Sequence, residues 1–145
     1  MKELTGNIWT FHKEGNWITI PTNGIVRRDG ACVMGRGLAQ QVKNKFPALP
    51  YLIGIHINKY GNVIGLFEDY RIITLPVKHH WNEPADLDLI EESIRTLHNI
   101  TQSDRKDIYL VRPGCGNGQL SWDKVKPILE YYLKEDKYIV VEIKR

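Results

Sequence analysis

A layered α/β domain, with a mostly parallel or mixed sheet held between helices, is the fold class this sequence predicts. Three observations carry the prediction. Short β-branched runs alternate with segments whose apolar residues recur every three or four positions, so strands alternate with helices. The joints between them are glycine-punctuated loops, with no repeat, low-complexity tract or linker-like stretch. The length of 145 residues suits one domain, 1–145, with a core large enough to need no staples.

Trp17-Ile18-Thr19-Ile20 is the first strand, and Pro21 is expected to end it. A loop rich in glycine runs from Asn23 to Gly35. Leu38, Val42 and Phe46 then mark one helical face, and Pro47 stops that helix. Residues 62–66 and 71–75 read as two strands. Leu87, Ile90, Ile94 and Leu97 form the apolar stripe of an amphipathic helix, with Asp86 and Asp88 at its positive end. Residues 107–111 form another strand, followed by a second glycine-rich turn. Ser121 caps a last helix with an apolar face of Val125, Ile128, Leu129 and Tyr132, in which Pro127 is expected to kink the early turns. Residues 138–143 close the chain as a strand. In such sheets ligands bind at the carboxyl ends of the strands, which directs attention to the loops after Ile20, Leu75 and Val111.

Composition excludes several classes. No apolar run approaches the ~20 residues needed to span a bilayer. The first residues carry no signal-peptide core, so a cytoplasmic protein is expected. Cys32 and Cys115 are the only cysteines and form no Cys-x-x-Cys pair, which argues against a disulfide framework or a zinc cluster. A net charge of +3 suits an anionic ligand and equally suits an ordinary mixed-charge surface. No cofactor or metal is implied, and a monomer is the expectation.

Three loops carry candidate chemistry. Val33-Met34-Gly35-Arg36-Gly37-Leu38-Ala39 opens a helix, where unpaired backbone N–H groups favour a phosphate and glycine allows close approach; a plain tight turn reads the same way. Arg112-Pro113-Gly114-Cys115-Gly116-Asn117-Gly118-Gln119-Leu120 joins a strand to a helix with three alternating glycines. It misses the dinucleotide fingerprint at Gln119, lacks the Gly-Lys-Ser/Thr of a Walker loop, and has Ser121 where a phosphatase cysteine loop needs arginine. Two glycine loops opening two helices point to a diphosphate between them. Lys78-His79-His80-Trp81 follows a strand. Lys78 there is either a solvated surface lysine or a nucleophile or fixed charge at the ligand edge. His79 and His80 are adjacent and face opposite ways in a strand, which argues against a two-histidine metal site.

In this order, the loops resemble the macrodomain family of ADP-ribose-binding proteins, over nearly the whole chain. Gly6-Asn7-Ile8 is similar to the family's Gly-Asp-Ile element at the adenine amino group, with Asn7 in place of aspartate. Thr22-Asn23 resembles the strand end with the ribose-binding asparagine, and residues 114–122 resemble the diphosphate loop with its Leu-x-Trp. The segments 33–39 and 78–81 resemble the branch of DarG-type DNA ADP-ribosyl glycohydrolases and terminal ADP-ribose-protein glycohydrolases, which use a lysine where Lys78 stands. Gly118 occupies the place of the aspartate used by the glutamate-ester enzymes, so the resemblance leans to the DNA-acting ones, which reverse ADP-ribosylation of thymidine. Glu142 stands where relatives often carry an aromatic residue beside adenine.

The resemblance implies a macrodomain-like three-layer α/β/α sandwich with a mixed central sheet. It implies a hydrolase that removes ADP-ribose from a modified macromolecule, DNA favoured over protein, with a partner ADP-ribosyltransferase that installs the mark. Lys78 and Asn23 are the implied catalytic residues. The implied ligand contacts are Asn7, Ile8, Met34, Gly35, Arg36, Gly37, Gly114, Cys115, Gly116, Asn117, Gly118, Gln119 and Leu120. Cys115 reads as a small apolar liner of the loop. A non-catalytic ADP-ribose reader and an ADP-ribose 1″-phosphate phosphatase are the competing functions.

Overall fold

The computed structural model of the chain describes residues 1–143. Six strands form one sheet: β1 (Lys2–Gly6), β2 (Trp17–Thr22), β3 (Gly65–Phe67), β4 (Ile72–Pro76), β5 (Ile108–Val111) and β6 (Tyr138–Ile143). Their spatial order is β1-β6-β5-β2-β4-β3, every neighbour parallel except the antiparallel β3–β4 pair. The sheet is therefore mixed, as expected.

Successive strand residues point to opposite faces, and the chain uses that alternation to feed two cores. On one face Ile18, Ile20, Ile72, Tyr109 and Val141 pack against three helices, α1 (Ile8–Lys13), α2 (Gly37–Lys45) and α3 (Leu49–Tyr60). On the other, Ile73, Leu75, Leu110, Tyr138 and Val140 pack against α4 (Leu87–Thr101) and α5 (Trp122–Tyr132). The result is the three-layer α/β/α sandwich. Asp86 caps α4 and Ser121 caps α5, each accepting the N–H of the residue two positions on. No helix among the described residues is long and apolar enough to cross a membrane.

Five elements differ from the sequence reading. β1 and α1 are additional, and α3 fills the stretch before β3. Buried Leu49 and Ile53 anchor α3 while Tyr51, Leu52 and Ile55 point outward, so no single apolar stripe betrays it. The strand expected over 62–66 is a three-residue edge strand, Gly65–Phe67. β2 runs past Pro21 to Thr22. The Ile18 N–H bonds the Arg71 carbonyl and the Thr22 carbonyl accepts from Val77, so even-numbered residues of β2 bond toward β4. Pro21 thus faces the β5 side, where pairing has already ended at Ile18–Tyr109, and its missing N–H costs no ladder bond. α5, by contrast, matches the expectation, capped by Ser121 and containing Pro127 on its way to Tyr132.

Candidate functional site

The early end of β2–β5 pairing makes the site. β5 stays paired with β6 to Val111–Val141, and β2 stays paired with β4 to Thr22–Pro76. Between them the carboxyl ends of β2 and β5 separate. A cleft of about 1040 Å³ opens there, the size of a small-molecule site. Its lining draws on Thr5 of β1, residues 21–23, residues 33–39, Val77, Lys78 and Trp81, residues 111–112 and 114–118, and residues 141–143 of β6. The loops after Ile20, Leu75 and Val111 all contribute. The ends of β1 and β6 contribute too, beside the Gly6-Asn7-Ile8 element and at the Glu142 position that the resemblance singled out.

The two glycine loops meet across the crevice: a β-carbon added at Gly37 would lie 3.0 Å from the Asn117 Nδ2. Their glycines do different jobs. Gly114, at φ +72, leaves no room for a side chain, since a β-carbon there would sit 2.8 Å from Ile90 Cδ1 and 2.9 Å from Ala85 Cβ. At Gly118 a β-carbon would run into the Gly114 carbonyl. Both are demanded by packing. Gly35 and Gly116 have nothing within 4 Å of that position, and both line the cleft. Packing gives no reason for these two glycines, whereas close approach of a ligand to bare backbone does.

Lys78 follows β4, its backbone N–H and that of Val77 both bonded to the Thr22 carbonyl. Its Nζ lies 3.4 Å from the Trp81 carbonyl. Burial, and then the positive charge of Arg36, lower its pKa from the ordinary lysine value. Arg36, Lys78 and Arg112 face one carboxylate, Glu142, in the lining, so the cleft favours an anion. Arg112 pairs with Glu142 at 3.4 Å and lies over the Trp122 ring.

Asn23 is buried, with Nδ2 donating to the Val33 carbonyl at 2.9 Å and Oδ1 accepting the Ile25 N–H at 3.0 Å. It braces the first glycine loop and retains a second N–H and a second lone pair for a ligand. Cys115 lines the cleft with its thiol directed at the Pro113 carbonyl, and burial raises its pKa, which keeps it protonated. Met34 is buried in the wall.

Four positions implied as contacts lie outside the lining. Asn7 is exposed and spends its side-chain oxygen on the Trp9 N–H at the start of α1, two residues beyond Thr5. Ile8 is a core residue, because the first turn of α1 must bury an apolar side chain against the sheet. Gln119 is exposed at φ 67 where the loop turns back, and Leu120 tucks under Gly114. His79 departs from the lysine's cleft as well, pairing with Asp86 at 2.8 Å. That bond, before any other influence, holds the Asp86 carboxyl below its usual range.

Asn62, just before β3, carries no motif and escaped the sequence reading. Its Nδ2 donates to the Lys78 carbonyl at 2.9 Å, and its side chain lies flat on Gly24, where a β-carbon would come within 2.8 Å of Cγ. It ties the loop bearing Lys78 to the loop bearing Asn23.

No family model matches the chain. It is 31% identical over 132 residues to a DNA ADP-ribosyl glycohydrolase of Thermus aquaticus, covering 83% of this chain and 36% of that protein. It is 27% identical over 126 residues to a DNA ADP-ribosyl transferase–DNA ADP-ribosyl glycohydrolase fusion protein of Thermosipho africanus, covering 70% of this chain and 32% of that one. The chain spans about a third of the length of these curated relatives. Among solved structures, the macrodomain of Thermus aquaticus DarG superposes with a TM-score of 0.71 at 28% identity, over 99% of this chain and 97% of that one. The fold, the cleft at the parted strand ends and these likenesses agree: the chain belongs to the macrodomain family, as a domain of the DarG type.

Proposed function

We propose that this domain binds ADP-ribose along the cleft and hydrolyses the bond between its distal ribose and a DNA base. One observation carries the reading: a cation-lined cleft runs from the end of β1 to the end of β4, with glycines that packing does not require at its middle and a partly buried lysine at one end. Four interstrand steps of about 4.8 Å make that span about 19 Å, the reach of an extended two-ended nucleotide. The diphosphate lies against Gly35, Arg36 and Gly37 on one side and the Gly114–Gly118 turn on the other. The adenosine end lies toward Thr5 and Asn7, and Asn23 turns its free N–H to a hydroxyl of the distal ribose.

Hydrolysis breaks the bond from the anomeric carbon to the base; water supplies a hydroxyl to that carbon and a proton to the departing nitrogen. Fixing the ribose and its conjugate supplies much of the barrier reduction. Lys78, at the β4 end, acts on the anomeric carbon as an amine nucleophile or on the leaving group as a fixed cation. Its lowered pKa supports the amine role. The relative in which glycohydrolase and transferase share one chain supports a partner ADP-ribosyltransferase as the source of the substrate.

Calorimetry with ADP-ribose, against ADP and NAD, tests binding. A thymidine oligonucleotide carrying ADP-ribose tests turnover by release of free ADP-ribose. Lys78→Ala is expected to abolish release while leaving ADP-ribose affinity within about threefold. Equal release by both proteins removes Lys78 from the chemistry. Binding without release by the unaltered domain makes it a reader.

A further inference from the structure

The turn after Lys78 carries an aromatic side chain that the fold does not use. Trp81 is 45% exposed, belongs to neither core and lines the cleft at the lysine's end. A solvent-facing indole at a cleft rim forgoes a large hydrophobic gain.

The turn that presents it is fixed on every side. His79 bonds Asp86 through its ring and the Gly24 N–H through its carbonyl. The Glu83 N–H returns to the His80 carbonyl, and the Asn82 N–H bonds His80 Nδ1. The Ala85 N–H bonds the Gly118 carbonyl in the diphosphate loop, and the Asp86 N–H bonds the Val77 carbonyl. The His80 ring backs the indole at 5.3 Å with planes 36° apart. Lys78 Nζ reaches the Trp81 carbonyl, so the indole and the amine are set in one frame.

The geometry points to Trp81 as the stacking surface for the nucleobase that bears ADP-ribose. This rests on the proposed function and deepens it by assigning the group on the far side of the scissile bond. The glycine loops and the β1–β6 end account for the ADP-ribose half of a substrate. The conjugated half leaves from the Lys78 end, and there the structure offers a flat, held, apolar face with no carboxylate in the lining beside it. Every base has a π-face that such a ring accepts, while a carboxylate side chain of a protein gains nothing from it. A pre-ordered ring also spares the ordering cost that a mobile one would add on binding.

The test compares Trp81→Ala and Trp81→Phe with the unaltered domain on two probes, ADP-ribosyl-thymidine as the free nucleoside and the same mark within a single-stranded oligonucleotide. Trp81→Ala is expected to lower kcat/KM about 10- to 100-fold on both, with Trp81→Phe recovering most of the loss. Its affinity for free ADP-ribose stays at the unaltered value, and Trp81→Phe, which keeps most of the ring's packing, controls for any change in melting temperature. Full activity of Trp81→Ala on both probes overturns the inference and leaves the proposed function standing. A loss confined to the oligonucleotide overturns it too, moving the ring to a flanking base. Failure of the unaltered domain to release ADP-ribose from either probe removes the proposed function, and this inference with it.

Discussion

Gly116→Val separates a glycine kept for a ligand from one kept for the fold. Nothing lies within 4 Å of a β-carbon at this cleft-lining position, and its φ is outside the left-handed region, so the backbone and the first added carbon are accommodated without strain. Stability is expected to hold or rise by up to about 1 kcal/mol, because the substitution restricts the unfolded chain. Binding is another matter. On the proposed function, two added methyl groups block the approach of a phosphate to the backbone, and each charged hydrogen bond lost costs about 1.5–3 kcal/mol. One such bond predicts a drop in ADP-ribose affinity of roughly 10- to 100-fold. Gly114→Ala is the contrast: at φ +72 and 2.8 Å from Ile90 Cδ1, it destabilises the fold by about 1–3 kcal/mol. Calorimetry with ADP-ribose and thermal melting of both variants give the answer. Undiminished affinity in Gly116→Val refutes the phosphate role of the loop. A melting loss in Gly116→Val matching that of Gly114→Ala shows that packing, not ligand, explains the glycine.

Three further outcomes follow from the same geometry. If Lys78 attacks as an amine, kcat rises with pH along a limb centred below the ordinary lysine value, and Arg36→Ala moves that limb upward by removing one cause of the depression; a limb that falls with pH assigns Lys78 the cation role instead. Burial first, then Arg71 and Lys45, lower the pKa of His12, so the unfolded chain binds this proton more readily than the folded one. Stability is then complete above the ordinary histidine value of about 6.5 and declines as pH falls through it, a slope that His12→Gln flattens in urea unfolding at about pH 7.5 and 5.5. Asn62→Ala, which frees the Lys78 carbonyl and uncovers Gly24, is expected to lower kcat by about tenfold and shift KM less, on the scale of one lost hydrogen bond; a change in KM alone would make Asn62 a ligand contact and not a positioning residue.

The fold was legible where burial is one-sided or complete. α4 shows its apolar stripe because only one face meets the sheet, and β4 and β5 read as apolar runs because helices cover both faces. α3 did not, because its outward side chains are apolar too, and β1 did not because an edge strand of Lys2-Glu3-Leu4-Thr5-Gly6 buries little. Pro21 misled for a physical reason: proline forbids a ladder bond, but β2 has no partner left on that side for the bond to be missed. The irregularity and the cleft have a common origin, since the parting of β2 from β5 both tolerates the proline and admits a ligand.

Motifs located the loops better than they located the chemistry within them. Three side chains that invited functional roles are committed in whole or in part: Asn23 by one N–H and one lone pair to its own loop, Asn7 to the cap of α1, Cys115 to a protonated contact with the Pro113 carbonyl. Positions that the fold leaves uncommitted are quieter in sequence, namely Gly35 and Gly116 with no neighbour, and Trp81 with no core. Lys78 lies between these groups, because its backbone is bound by Thr22 and Asn62 while its amine meets only a carbonyl and the field of Arg36. A residue whose backbone is fixed and whose side chain is not is one whose direction the protein has set for something else. Lys78 thus fits the proposed chemistry apart from any resemblance, with Asn62 and Thr22 holding the backbone that aims its side chain.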